Sequence, residues 1–237
     1  MKYLTPILLR TGLYHPLRKA YLSVRNRGTS ADEIFSAIYR TNHWGSSESR
    51  SGEGSTMKQT VALRDALPRL LHRHDVGTFL DIPCGDFHWM STVAMDGIHY
   101  VGADIVPDVI QTNLATHLGL DREFKILDLC SSPLPAYDMV FVRDCMVHLP
   151  FKMIAAAVTN LQASGSRLLM ATTFPATQVN RDIALGDFRP INLQASPFNF
   201  PTPIELLVEQ CTESDGAHAD KAMGVWKIAD LPRMHHV

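Results

Sequence analysis

The chain has 237 residues, 46% hydrophobic and 19% charged, with a formal net charge of -2 at pH 7. This fits one globular α/β domain with a short appendage, and the balanced charge argues against a nucleic-acid partner. The four cysteines are widely spread and form no CxxC pair. Their spacing argues against a zinc site or a disulfide framework and predicts a reducing, cytoplasmic location.

Residues 1–30 form a basic extension. Its six Lys and Arg residues all precede the first acid, Asp32, and its apolar residues recur at roughly helical spacing. The longest apolar run, residues 7–9, is too short to span a bilayer. One interpretation is an amphipathic helix, residues 1–27, lying on the anionic inner face of a membrane. The other is a helix packed on the domain or in a homodimer contact, with its basic face in solvent.

Residues 31–237 are predicted to be one domain, in which residues 31–75 form a helical cap. Ser30 and Glu33 have the spacing of a capping box in front of an apolar helix face. Residues 42–56 are rich in Gly and Ser, which predicts a loop. It is either a flexible linker or a lid over a ligand site, and Trp44 with its charged neighbours favours the lid.

Strand and helix patterns alternate after the cap. Strands are predicted at 78–82, 99–104, 124–127, 138–143, 167–174 and 223–229, and helices at 57–72, 87–95, 107–117, 151–162 and 203–211. Such alternation predicts a Rossmann-like, doubly wound, mostly parallel sheet, with ligands beyond the carboxyl ends of its strands.

Three acids, Asp81, Asp104 and Asp128, end the first three predicted strands. Each alone could be a helix N-cap, but together they predict a ligand site beside the turn at Gly85. Asp104 suits the two hydroxyls of a ribose, and Asp128 suits an adenine amine. Asp81 and Asp86 would repel a pyrophosphate, and neither a GxGxxG nor a GxxxxGK[ST] motif is present. The predicted ligand is therefore a nucleoside with a cationic amino-acid tail.

These segments resemble the motifs of class I methyltransferases that depend on S-adenosylmethionine (SAM). Residues 79–87 resemble the first motif, although its glycine-rich turn is here Pro83-Cys84-Gly85-Asp86. Residues 100–105, 124–129 and 137–149 resemble the second, third and fourth motifs. The resemblance implies SAM as cofactor and the following cofactor-binding residues: Trp44, Ser55, Thr56, Asp81, Pro83, Cys84, Gly85, Asp86, Asp104, Ile105, Asp128, Leu129 and Arg143.

The fourth strand end is the predicted place of methyl transfer. A hydroxyl acceptor must lose its proton, and Asp144 or His148 is the predicted base; alternatively, His148 only packs beneath the next helix. Arg143 could hold an anionic acceptor or the cofactor carboxylate. Asp182, Arg189 and Asn192 are predicted to bind the substrate, unless their irregular region is only a structural flap. No ligand spacing predicts a metal site.

Residues 44–56 and 188–203 also resemble a subgroup associated with bacterial surface-polysaccharide and glycan modification. That resemblance predicts O-methylation of a sugar hydroxyl in a surface glycan or glycolipid intermediate, by a cytoplasmic enzyme held peripherally at the membrane. One alternative is methylation of a small metabolite or a protein side chain. Another is a non-catalytic SAM-binding regulator of a glycan-synthesis partner.

Overall fold

The computed structural model describes residues 14–117 and 119–234. Its centre is a seven-stranded sheet with the order β3-β2-β1-β4-β5-β7-β6. The strands are β1 (Thr78–Asp81), β2 (His99–Asp104), β3 (Arg122–Ile126), β4 (Met139–Val142), β5 (Leu168–Thr173), β6 (Glu205–Val208) and β7 (Ala222–Lys227). Strands β1 to β5 pair in parallel, and β7 is antiparallel to both of its neighbours. The predicted doubly wound, mostly parallel sheet is confirmed.

Five α-helices are present in the described residues, and some of them pack on the two faces of this sheet. They are α1 (Tyr14–Arg25), α2 (Ala31–Arg40), α3 (Val61–Arg73), α4 (Pro107–His117) and α5 (Phe151–Ala163). Along β1, Leu80 contributes to the core cluster that contains α5, whereas Phe79 contributes to the cluster that contains α3. Because successive side chains of a strand point to opposite faces, this alternation places one apolar layer on each side. A parallel sheet buried on both faces explains why its strands are almost continuously apolar.

Helix α1 is attached to the domain through polar contacts, and none of its residues is buried. Arg18 Nε lies 2.9 Å from Asp187 Oδ1, and Lys19 Nζ lies 2.6 Å from Asp182 Oδ2. The membrane interpretation of residues 1–27 concerns in part residues 1–13, which lie outside the described residues. None of the described helices combines the length and the apolar character needed to cross a membrane.

The helix predicted at 87–95 is wrong. Only Met90–Thr92 form a short 3₁₀ turn, and Phe87 has a left-handed backbone with φ of 57°. Phe87 and Trp89 are both buried in the core layer that contains α3. Burial of both aromatic side chains in this layer requires a backbone path that is not a regular helix. In addition, the β-branched residues Thr92 and Val93 favour a helix only weakly.

The helix predicted at 203–211 is also wrong, because β6 occupies its centre. Residues 205–208 pair antiparallel with β7 along its free edge. Leu207 packs against the core layer of α3, and Glu205 Oε1 lies 2.7 Å from Arg73 Nη1 at the end of that helix. Pairing with an open sheet edge therefore overrides the local helix pattern of residues 203–211.

Candidate functional site

A cavity of about 410 Å³ opens at the carboxyl ends of the parallel strands. Of the thirteen residues predicted to bind the cofactor, the cavity is lined by eleven: Trp44, Ser55, Asp81, Pro83, Cys84, Gly85, Asp104, Ile105, Asp128, Leu129 and Arg143. Both predicted catalytic residues, Asp144 and His148, also line it. The strand order brings these residues together, because β1 and β4 are neighbours at the point where the chain changes direction across the sheet.

The turn after β1 needs glycine at residue 85. Gly85 has φ of 53°, and a Cβ added to it would collide with Ser51 Oγ. Its N–H donates to Asp104 Oδ2 over 3.2 Å, and its carbonyl accepts from Asn113 Nδ2 over 2.8 Å. The turn is thereby fastened to β2 and α4, and its backbone can approach a ligand closely.

Two buried carboxyl groups lie beside this turn. Tyr100 Oη donates to Asp81 Oδ2 over 2.6 Å, and the backbone N–H of Val106 donates to Asp104 Oδ1 over 2.9 Å. Burial raises the pKa of Asp81 to about 7 and that of Asp104 to about 6. Since a cation nearby favours the ionised form of a carboxyl group, both residues suit a positively charged ligand.

Asp128 combines the two roles that its sequence position allows. Its carboxylate accepts from the Cys130 N–H over 2.8 Å and from Ser131 Oγ over 2.6 Å, so it caps the turn after β3. It also lines the cavity beside the buried side chain of Leu129. A carboxylate has about four acceptor positions, so capping leaves acceptor capacity for a ligand.

Asp86 and Thr56 lie outside the cavity lining. Asp86 instead fastens the 42–56 loop: Ser49 Oγ donates to it over 2.9 Å, and the Arg50 N–H donates over 2.9 Å. Thr56 is buried at the start of α3, where its carbonyl accepts from the N–H of Thr60 over 3.1 Å. In this structure both residues hold the loop, and their role as direct cofactor ligands stays a prediction.

Arg143 is engaged in a buried cluster of charges. Its Nη2 lies 2.6 Å from Glu209 Oε2 and donates to the Gly54 carbonyl over 2.8 Å. Lys221 Nζ lies 2.6 Å from Asp144 Oδ2. These pairings neutralise the guanidinium that was predicted to hold an anionic group, although part of its side chain lines the cavity.

The same cluster holds Asp144, one of the two predicted bases. Burial opposes ionisation of Asp144, but the charges of Lys221 and Arg143 outweigh burial and hold its pKa below the usual range. An ionised carboxylate paired with Lys221 has little tendency to take up a proton. Asp144 is therefore better suited to positioning than to proton removal.

His148 has the geometry of a base. Its Nδ1 lies 2.9 Å from the carbonyl oxygen of Asp187, which can only accept, so Nδ1 carries the proton. In the neutral ring Nε2 then holds the lone pair, and the ring lines the cavity. Burial lowers the pKa of His148, which favours this neutral form.

The three predicted substrate residues are used elsewhere. Asp182 Oδ1 accepts from the Phe151 N–H over 2.7 Å at the start of α5. Arg189 is buried and donates to the carbonyls of Met146 and Leu149, each over 2.8 Å. The Asn192 amide donates to two carbonyls of its own loop. None of the three lines the cavity; they build the segment behind it, and their role in substrate binding stays a prediction.

The cavity wall also contains the rings of Phe174, Phe188 and His218, which are not among the predicted site residues. Lys221, which pairs with Asp144, was not predicted either. Phe188 carried a weak signal as one of several aromatics in an irregular segment. The other three follow β5 or precede β7, and only the pairing of these two strands brings them to the site.

No protein-family model matches this chain, and no curated protein sequence matches it. Several solved structures are similar to it. The 1,6-didemethyltoxoflavin-N1-methyltransferase of Burkholderia thailandensis, with bound 1,6-didemethyltoxoflavin and S-adenosylhomocysteine, has a TM-score of 0.56 at 15% identity, over 84% of this chain and 90% of that chain. The N-methyltransferase NodS of Bradyrhizobium japonicum WM9 has a TM-score of 0.50 at 14% identity, over 72% of this chain and 97% of that one.

Other matches are partial. A possible exported protein from Bordetella parapertussis has a TM-score of 0.40 at 17% identity, over 48% of this chain and 43% of that one. The chain thus spans less than two thirds of the length of some structures that it matches. Identities this low establish the fold alone, and that fold is the Rossmann-like fold of class I methyltransferases.

Proposed function

We propose that this protein is a SAM-dependent methyltransferase that acts on a hydroxyl group. The observation that carries the proposal is a single cavity that holds three strand-end carboxyl groups, the Gly85 turn and a histidine with an available Nε2. SAM would supply a methyl group on a positively charged sulfur. The work left to the protein is binding, orientation and removal of the acceptor proton.

The cofactor would lie across the ends of β1, β2 and β3. Each oxygen of Asp104 already accepts one backbone N–H and keeps further acceptor capacity, which suits two ribose hydroxyls. Ile105 and Leu129 offer apolar surface for adenine beside Asp128. Asp81, buried beneath the Gly85 turn, would complement the cationic end of the cofactor.

The acceptor would lie beyond β4, next to His148. The Asp187 carbonyl fixes the proton on Nδ1, so Nε2 would take the proton from the acceptor hydroxyl. The main chain of His148 is held as well, because the Gly186 N–H donates to the His148 carbonyl over 3.0 Å. Two hydrogen bonds from one segment therefore hold the proposed base in place.

A sugar hydroxyl of a surface glycan was the acceptor predicted from the sequence. The three residues predicted to bind the substrate, Asp182, Arg189 and Asn192, have other partners in the fold. Support for this acceptor is therefore limited to the sequence resemblance. Methyl glucoside represents a sugar acceptor in the binding experiment that compares acceptors.

Calorimetric titration with SAM, S-adenosylhomocysteine and NAD tests the cofactor. We expect micromolar binding of the first two and no heat from NAD. Asp104→Ala should weaken SAM binding by at least tenfold, because the ribose hydroxyls lose their acceptor. The matched control is Asp96→Ala, which removes an exposed carboxylate outside the cavity.

Thermal unfolding of both variants checks that each is folded, since Asp104 also accepts from the N–H groups of Gly85 and Val106. Two results would refute the proposal. The first is the absence of SAM binding by the wild-type protein. The second is unchanged SAM affinity in a folded Asp104→Ala protein.

A further inference from the structure

We propose that the methyl acceptor is a flat aromatic compound with a ring hydroxyl, an inference that rests on the proposed methyltransferase function. The acceptor end of the cavity is walled by a continuous series of rings. The centroid of Trp44 lies 5.3 Å from that of His148, and His148 lies 5.8 Å from Phe188. Phe188 lies 5.4 Å from His218, which lies 5.6 Å from Phe174. All five rings line the cavity.

These rings pack against one another and form one wall, so a planar guest would stack on the exposed surface of that wall and not between its rings. Aromatic pairs are favourable at centroid separations of about 4.5–7 Å, in offset or edge-to-face arrangements. Phe188 is 45% exposed although it lies among other rings. A ring that is this exposed at a cavity wall gains buried apolar area when a flat molecule stacks against it.

The described lining of the cavity offers a sugar carboxylates and hydroxyls, such as Glu53 and Ser55, but no amide side chain. Among the lining residues that the structure describes there is no Asn or Gln side chain. The amides of Asn180 and Asn192, which lie on the neighbouring loop, donate to backbone carbonyls. A sugar brings several hydroxyl groups, and each one left unpaired on burial costs free energy.

The charges of the cavity also disfavour a phosphorylated acceptor. Its described lining contains three Arg or Lys residues, Arg18, Arg143 and Lys221. Each is paired with a carboxylate, at 2.9, 2.6 and 2.6 Å respectively. A phosphate in this cavity would meet no uncompensated Arg or Lys charge, which argues against sugar nucleotides and lipid-linked pyrophosphates.

The proposed base suits an aromatic hydroxyl. A phenol such as that of tyrosine has an ordinary pKa of about 10, whereas water, which aliphatic hydroxyls resemble more closely, has one of about 15.7. Burial lowers the pKa of His148 and so makes it a weaker base. In the proposed step the acceptor oxygen attacks the methyl carbon and the carbon–sulfur bond breaks. The hydroxyl proton passes to Nε2, and S-adenosylhomocysteine leaves.

Equilibrium dialysis tests acceptor binding without turnover. The protein, saturated with S-adenosylhomocysteine, is dialysed against 2-naphthol, caffeate or methyl glucoside. We expect at least one of the two aromatic probes to bind at least tenfold more tightly than methyl glucoside. Phe188→Leu keeps an apolar side chain but removes the ring, and should weaken that binding roughly three- to tenfold. The matched control is Tyr21→Leu, since Tyr21 is exposed on α1 and outside the cavity lining.

Transfer of the labelled methyl group of SAM to the same three probes completes the test. Methylation of an aromatic probe that is lost in His148→Ala supports the inference. Tighter binding or faster methylation of methyl glucoside overturns it, and so does the absence of binding by both aromatic probes. In either case an intact SAM titration leaves the proposed function standing. Loss of SAM binding itself would instead refute both proposals.

Discussion

Asp81 shows how burial makes a carboxyl group sensitive to pH. Its pKa is raised by burial to about 7, against an ordinary value of 3.8. Between about pH 4 and pH 7 the unfolded chain has lost this proton while the folded chain keeps it. The contribution of Asp81 to stability is therefore full at low pH and is lost as the pH rises to 7.

Asp81→Asn should remove this dependence in the cofactor-free protein. The asparagine oxygen can still accept from Tyr100, so the fold is kept. Each pKa unit corresponds to about 1.4 kcal/mol, and at pH 8 we expect the variant to be more stable by on the order of 4 kcal/mol, with little difference at pH 4. Urea unfolding at both pH values measures this, with the exposed Asp96→Asn as control. Equal differences at both pH values would contradict the assignment.

We expect replacement of His148 to lower the rate of methyl transfer and to leave the affinity for SAM unchanged. Replacing a general base lowers the rate by about 10²–10⁴-fold, so His148→Gln should lose most of kcat with an unchanged Kd for SAM. Because burial lowers the pKa of His148, the wild-type rate should rise with pH below 6.5 and then level off. A His148→Gln enzyme with wild-type kcat and the same pH profile would contradict this role, leaving the ring as a packing element.

Helix α1 supports the wall of the acceptor site. Arg18 pairs with Asp187, whose carbonyl holds His148, and Lys19 pairs with Asp182 in the same segment. The basic residues that the sequence suggested for a membrane surface are here partly used within the molecule. Exposed ion pairs contribute about 1 kcal/mol or less each, so they can steady a loop without fixing the fold.

We therefore expect Arg18→Ala with Lys19→Ala to loosen residues 182–189. Amide hydrogen exchange in that segment should become faster, and the KM for the acceptor should rise several-fold while the Kd for SAM stays unchanged. Arg25→Ala, in the last turn of the same helix, is the matched control for loss of positive charge. Unchanged exchange in the double variant would mean that α1 does not steady the acceptor wall. The membrane and homodimer interpretations of residues 1–27 remain predictions.

Across the molecule, the sheet gathers the site from distant parts of the chain. Gly54 lies against Asp144, Glu213 and Lys221, with a Cβ at residue 54 coming within 3.2–3.3 Å of each. The loop before α3, the end of β4 and the turn before β7 therefore meet at one buried cluster. Strand β7 lies between β5 and β6. This position places the turn before β7 next to the carboxyl ends of the parallel strands.

Much of this architecture was predictable because it depends on local patterns. Runs of apolar residues predict strands that are buried on both faces, and acids at their ends predict where the ligand site opens. The predictions at 87–95 and 203–211 were wrong because aromatic anchoring and an open sheet edge outweighed local helix signals. Both are contacts between residues far apart in sequence, which periodicity does not detect.

The sequence alone determined the parallel part of the sheet, the edge at which the candidate site opens and the acids at the first four strand ends. Each of these follows from the spacing of apolar and acidic residues within a few turns or strands. Only the tertiary structure decided which side chains are available to a ligand. It paired Arg143 with Glu209 and Asp144 with Lys221, turned Arg189 and Asn192 toward backbone carbonyls, and left the rings beside His148 facing the cavity. The physical reason is that buried polar groups form hydrogen bonds or ion pairs, and the tertiary structure determines which groups are close enough to pair.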